Sequence, residues 1–234
     1  MQDNDTRLTQ LAHRASTLPD SQRLADVETR LARVRDEVVA AETILSDLET
    51  EQTRADHDVE QVRERMRRDR DLLDNGSIGE AKQLQSIQAE LDSLARRQSD
   101  LEDIELEIME RVEGARAAVV QLTEERDALA SERDTLAASV HEQLAAIDAE
   151  RRMVVEQRGV VAADIPADLL GLYDKIRADQ GGVGAAPLHR GSCQGCHLTI
   201  PPTEIDEIRA AAPDEVVRCE ECRRILVRTP ESGL

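Results

Sequence analysis

Asp74-Asn75-Gly76-Ser77-Ile78-Gly79 is the only cluster of helix breakers between residues 20 and 158. Two glycines with Asp, Asn and Ser supply the positive-φ and side-chain-capping positions of a tight reversal. Before it, apolar residues recur at spacings of mostly three and four: Leu24, Val27, Leu31, Val34, Val38, Ala41, Leu45, Leu48, Ala55, Val59, Val62, Met66 and Leu73. After it the same spacing runs through Leu84, Ile87, Leu91, Leu94, Leu101, Ile108, Val112, Ala115, Val119, Leu122, Leu129, Leu136, Val140 and Ile147. A seam sustained well beyond the three or four heptads that define a coiled coil predicts two long helical arms. A short turn between such arms folds them back on each other as an antiparallel hairpin.

The composition agrees. The 234 residues include no Trp, no Phe and one Tyr, while 34% are charged. Leu, Ala, Glu, Asp and Arg in helical periodicity describe solvated helices that bury only a narrow stripe. Counting outward from the turn, residue i is expected to face roughly residue 153 − i, which sets Pro19 against Asp134 and Leu8 and Leu11 against the region of Leu144. At ~1.5 Å per residue each arm is on the order of 110 Å long. Gln52, Asp69, Gln98, Arg126 and Arg133 interrupt the seam, and half-exposure with snorkelling arginines is the expected accommodation.

The net charge is −19. Such a surface repels phosphate backbones and disfavours broad non-specific nucleic-acid binding. One local exception is Arg63-Glu64-Arg65-Met66-Arg67-Arg68-Asp69-Arg70, with Lys82 across the turn, a candidate docking patch for phosphate or an acidic partner. The competing reading is a solvated face laced with ion pairs. No stretch resembles a secretory leader and no run approaches the ~20 apolar residues of a membrane span, so a cytoplasmic protein without membrane contact is expected.

Three segments follow in order. Residues 1–160 form the hairpin, with its turn at 74–79 and a kink at 18–20, where Leu18-Pro19-Asp20 breaks the helix and Asp20 or Ser21 is positioned to cap its restart. Residues 161–184 hold a short helix, Pro166 to Ala178, whose wide apolar face must cover something. After it, Gly181-Gly182-Val183-Gly184 reads as a flexible joint.

Residues 185–234 contain every cysteine: Cys193-Gln194-Gly195-Cys196 and, after 22 intervening residues, Cys219-Glu220-Glu221-Cys222. Paired CxxC motifs near this separation are the pattern of a four-cysteine zinc site. Four thiolates complete a tetrahedron, so one structural zinc is expected, with no catalytic role. Stretches Ala186–Arg190, His197–Ile200, Val216–Arg218 and Arg224–Val227 are expected as the flanking strands, with a short helix from Pro201-Pro202-Thr203 and Asp206 to about Ala211. Gly195 suits the knuckle turn. His189 and His197 are expected to be exposed. The predicted fold is thus mostly α: an antiparallel two-helix coiled-coil hairpin followed by a small β-rich zinc ribbon.

In combination, several segments resemble a bacterial family of coiled-coil proteins with a C-terminal C4-type zinc ribbon. They are Leu18-Pro19, Lys82-Gln83-Leu84-Gln85-Ser86-Ile87, Ile165-Pro166-Ala167-Asp168-Leu169-Leu170-Gly171-Leu172-Tyr173, Gly191-Ser192-Cys193-Gln194-Gly195-Cys196-His197-Leu198, Ile200-Pro201-Pro202 and Val217-Arg218-Cys219-Glu220-Glu221-Cys222-Arg223-Arg224-Ile225-Leu226-Val227. The resemblance implies a regulatory or adaptor protein without enzymatic activity. Its zinc ligands are Cys193, Cys196, Cys219 and Cys222, and its partners include transcription or secretion machinery. It also implies a ribbon that contacts RNA or DNA, for which Arg190, Arg218, Arg223, Arg224 and Arg228 are the candidates. Two functions follow: an adaptor docking a protein partner, and a nucleic-acid-binding regulator. No Ser/His/Asp set, phosphate loop or small-molecule site is legible.

Overall fold

A computed structural model of the protein describes residues 1–76 and 79–234; Ser77 and Ile78 of the expected turn lie outside the described residues. The elements are α1 (Gln2–Ser16), α2 (Pro19–Asp74), α3 (Ala81–Ala163), α4 (Ala167–Asp179), β1 (Ala185–His189), β2 (Ser192–Cys193), α5 (Pro202–Ala210) and β3 (Ile225–Val227), closed by a 3-10 turn at Pro230–Ser232. They form two compact units, one of Arg23–Leu136 and one joining Met1–Gln22 to Ala137–Leu234.

The unit Arg23–Leu136 is the antiparallel pairing of α2 with α3. Val27, Leu31, Val34 and Val38 of α2 are buried with Leu129 and Leu136 of α3, and Leu48 and Ala55 with Ile108 and Val112. Glu49 pairs with Arg116 at 2.7 Å and Arg63 with Glu102 at 2.7 Å along the flanks. The expected seam is buried or half-buried throughout, with one exception: Leu84 is exposed. That exception explains a correction to the register. Every residue from Ala81 to Ser86 is exposed, so the opening turns of α3 take no part in the seam, which begins at Ile87. Arg63 therefore meets Glu102, well beyond the position that a symmetric turn requires, while nearer the turn Arg65 still reaches Glu90. Gln52, Asp69, Gln98, Arg126 and Arg133 are all half-buried. Arg126 and Arg133 turn outward to Asp127 and Asp134, both at 2.8 Å.

In the other unit, α1 lies along the end of α3, with Leu11 and Leu18 buried against Ile147 and Val154. The expected Leu8–Leu144 facing is again displaced toward the C-terminus of α3. The break at Leu18-Pro19 is present, but Pro19 itself opens α2, where its missing N–H costs nothing. Asp20 accepts from Ser139 Oγ and Gln143 Nε2, both at 3.0 Å, so it ties α2 to α3.

The ribbon is a three-stranded sheet of order β2-β1-β3. β1 pairs antiparallel with β2 and parallel with β3, in the register Ala185↔Ile225 and Pro187↔Val227. The expected strands His197–Ile200 and Val216–Arg218 reduce to single bridges, Ser192↔Thr199 and Arg218↔Ile225, because the knuckles turn too sharply to extend a ladder. α5 spans Pro202–Ala210 without a side-chain cap at its start. The glycine run after α4 is tied down rather than loose. Gly182 N–H donates to Arg177 O, Gly184 N–H donates to Gln2 Oε1, and Gly184 leaves no room for a Cβ, which would sit 2.8 Å from Tyr173.

Candidate metal centre

The two knuckles repeat each other bond for bond. Cys193 N–H donates to Leu198 O and His197 N–H to Cys193 O; Cys219 N–H donates to Arg224 O and Arg223 N–H to Cys219 O. In each, the residue after the second cysteine takes a left-handed backbone, with φ 63° at both His197 and Arg223. Neither is a glycine, so each knuckle holds a conformation that side chains disfavour. Gly195 matters for space and not for turn geometry: a Cβ there would meet Arg224 Cδ at 2.5 Å and Ala186 Cβ at 3.0 Å.

This repetition brings all four sulfurs within 4.8 Å of one another. Cys193 Sγ and Cys222 Sγ are 3.8 Å apart, and Cys196 Sγ and Cys219 Sγ 3.9 Å. A zinc tetrahedron with bonds of about 2.3 Å has sulfur–sulfur edges of about 3.8 Å, which these two separations match. The four cysteines are free, at separations far beyond a disulfide bond of about 2 Å. Ala186, Leu188, Ile200, Ile208 and Leu226 bury the cluster from the sheet and α5.

Burial pushes the Cys193 thiol up and the Cys219 thiol up to about 12. Burial acts the same way on Cys222, but hydrogen bonds from the Arg224 backbone and side chain, helped by Cys219 and Cys196, bring it down to about 7. Thiolates packed this closely repel one another, so a cation is needed to hold the set ionised, and its binding releases protons.

The candidate arginines divide by what they touch. Arg224 donates to Val183 O at 2.9 Å and Gln180 O at 2.8 Å, anchoring the second knuckle to the end of α4. Arg228 donates to Ala211 O at 2.8 Å and to the carbonyls of Ala212, Pro213 and Glu215, closing the C-terminal end of α5 where carbonyls lack helical partners. Both are structural. Arg190, Arg218 and Arg223 are exposed. Carboxylates surround the second knuckle: burial and the neighbouring Glu220, Glu207 and Glu221 raise Glu204. In the arginine cluster of α2, Arg63 pairs with Glu102, Arg65 with Glu90 and Arg67 with Glu60. Arg68, Arg70 and Lys82 are exposed and form no ion pair among the described residues. The patch is therefore half neutralised.

Sequence reasoning missed a second centre of order. Asp5, on α1, is only 1% exposed. It accepts from Tyr173 Oη at 2.6 Å and Arg158 Nε at 2.7 Å, with Arg177 3.5 Å away. Burial works against its charge, but these donors and the two guanidinium groups hold the carboxyl below its usual value. Beside it Gln2 Oε1 accepts from the Gly184 and Ala185 N–H groups while Gln2 Nε2 donates to Gly182 O. The signal was present: Asp5 precedes Leu8, Leu11 and Ala15 at helical spacing, a carboxylate on an apolar stripe.

Residues 1–181 match the CT398-like coiled coil hairpin domain and residues 192–226 the C4-type zinc ribbon domain. The chain belongs to this family of coiled-coil hairpin proteins that end in a zinc ribbon. The uncharacterized protein Rv2229c of Mycobacterium tuberculosis is 41% identical over 227 residues, covering 96% of this chain and 91% of its own. A solved structure from Mycobacterium smegmatis is 35% identical with a TM-score of 0.81, covering 97% of this chain and 94% of that one. CT398 of Chlamydia trachomatis, 17% identical with a TM-score of 0.66 over 97% and 94% of the two chains, shares the fold. Among the described residues no helix is long and apolar enough to cross a membrane.

Proposed function

We propose that the protein is a non-enzymatic adaptor that presents a zinc-stabilised ribbon to a protein partner. The observation that carries this reading is the closed donor set. Four cysteine sulfurs lie within 4.8 Å of one another, a set able to complete a zinc tetrahedron, so a bound zinc has no position left for water or substrate and serves the fold. The helical arms support the reading as well, since they bury a narrow stripe of apolar residues between two helices. A partner of protein, rather than nucleic acid, is favoured because two of the five ribbon arginines are consumed internally and carboxylates crowd the second knuckle.

Affinity purification of the tagged full-length chain from its native cell, with and without nuclease, tests this. With one Tyr and no Trp the protein is almost dark at 280 nm, so any bound nucleic acid dominates the spectrum. The expected result is a protein partner retained through nuclease and no 260 nm band. A 260 nm band that disappears with nuclease, and with joint Arg190→Ala, Arg218→Ala and Arg223→Ala replacement, would instead establish a nucleic-acid-binding regulator.

A further inference from the structure

The ribbon sheet has two faces, and only one of them covers the cysteine cluster. Ala186, Leu188 and Leu226 point into the zinc core. Alternation along the strands sends Ala185, Pro187, Ile225 and Val227 to the other side, where the β1–β3 register places Ala185 beside Ile225 and Pro187 beside Val227. Facing them is one stripe of α4 and its approach, Ile165, Leu169 and Tyr173, at helical spacing. Between them lies a cavity of about 480 Å³, within the size range of binding pockets, about 300–1,000 Å³.

The charged side chains at this cavity are acidic. Among the described residues that line it Asp3 is the only charged side chain, next to the N-terminal amine of Met1. Asp164 and Asp168, the neighbours in sequence of Ile165 and Leu169, are exposed. An apolar floor with an acidic rim, on a chain of net charge −19, complements an apolar anchor flanked by lysine or arginine and repels a second copy of the chain.

We infer that the cavity between the outer face of the ribbon sheet and α4 is the docking site for a basic amphipathic segment of a partner protein, whose apolar side chains enter between Val227 and Leu169. This rests on the adaptor reading and specifies the surface and chemistry of its partner. The zinc side of the sheet then holds β1 and β3 in register while the opposite side binds.

The test uses the zinc-loaded full-length chain and three dye-labelled helical peptides of equal length: leucine with lysine, glutamine in place of leucine, and glutamate in place of lysine. Val227 is 43% exposed, so Val227→Gln is compatible with folding, and unchanged zinc content confirms it. Val39→Gln, at an exposed site on α2, is the control. The leucine–lysine peptide is expected to bind best, and Val227→Gln or Leu169→Gln to weaken it roughly tenfold while Val39→Gln does not. Equal binding of the glutamine peptide, equal binding of the glutamate peptide, indifference to both cavity substitutions, or no binding at all would each overturn the inference. So would Val227-dependent self-association in sedimentation. Repeating the cellular purification with Val227→Gln separates the two readings. A partner retained by that variant removes this cavity and leaves the adaptor, whereas no partner for the unsubstituted chain removes the adaptor while the peptides still decide the cavity.

Discussion

Stripping zinc from the full-length protein with a chelator is expected to unfold residues 185–234 while the α2–α3 seam persists. The ribbon core is Ala186, Leu188, Ile200, Ile208 and Leu226 around four cysteines, too little apolar surface to stand alone. Structural zinc sites contribute on the order of 10–16 kcal/mol of apparent binding energy near neutral pH, which here is folding energy. The Arg23–Leu136 unit has its own clusters and none of the cysteines. Trypsin should therefore cut at Arg190, Arg218 and Arg223 within minutes of chelation and leave the long helices intact, with most of the helical circular dichroism retained. Cys219→Ser should behave like the chelated protein. Because Cys193 and Cys219 are pushed up by burial and must lose protons on binding, zinc affinity should fall as the pH drops. A ribbon resistant to trypsin after complete zinc removal would refute the assignment.

Asp5→Ala should be the most damaging substitution among the charged residues of the helices. Removing one partner of a buried charge cluster costs about 3–5 kcal/mol, because the charges left behind remain out of water. Arg177 and the Tyr173 hydroxyl lose this partner, and Arg158 keeps only its pair with the more exposed Asp174. Arg7→Ala, which breaks the exposed pair with Glu150, should cost at most about 1 kcal/mol. The pH dependence has a definite sign. The folded carboxyl of Asp5 is held below its value in the unfolded chain, about 3.9. Its contribution is complete above that value and is lost as the pH falls through the lower, folded one. Acid unfolding of the native chain should accordingly include this loss, and Asp5→Asn should lack it. Thermal melts from pH 7 to pH 2 compare the two directly; parallel curves would count against the assignment.

The hairpin and the cysteine cluster were legible because each rests on a local rule: a repeat of three and four, and a two-residue gap between thiols. Register was not, because it depends on how many turns of α3 precede its first seam residue, and Leu84 has the right spacing but is exposed. The ribbon arginines were equally ambiguous. Arg223 and Arg224 are adjacent and alike in sequence, yet one is exposed and the other binds two carbonyls of the preceding segment, which only tertiary packing brings near. Asp5 illustrates the same limit from the other side: a carboxylate beside apolar positions in α1, whose meaning depends on Arg158 and Tyr173, more than 150 residues away in the chain.

The bond from Gly184 N–H to Gln2 Oε1 joins positions 182 residues apart. During synthesis, at about 5–20 residues per second, the second residue waits roughly 10–40 s for its partner to emerge. In that interval α1 leaves the ribosome with its apolar stripe and the Asp5 carboxylate uncovered, and both can be buried only when α3, α4 and the glycine run have followed. α1, made before the other helices described, is thus among the last to be secured, and it closes on the chain only when the ribbon is about to form.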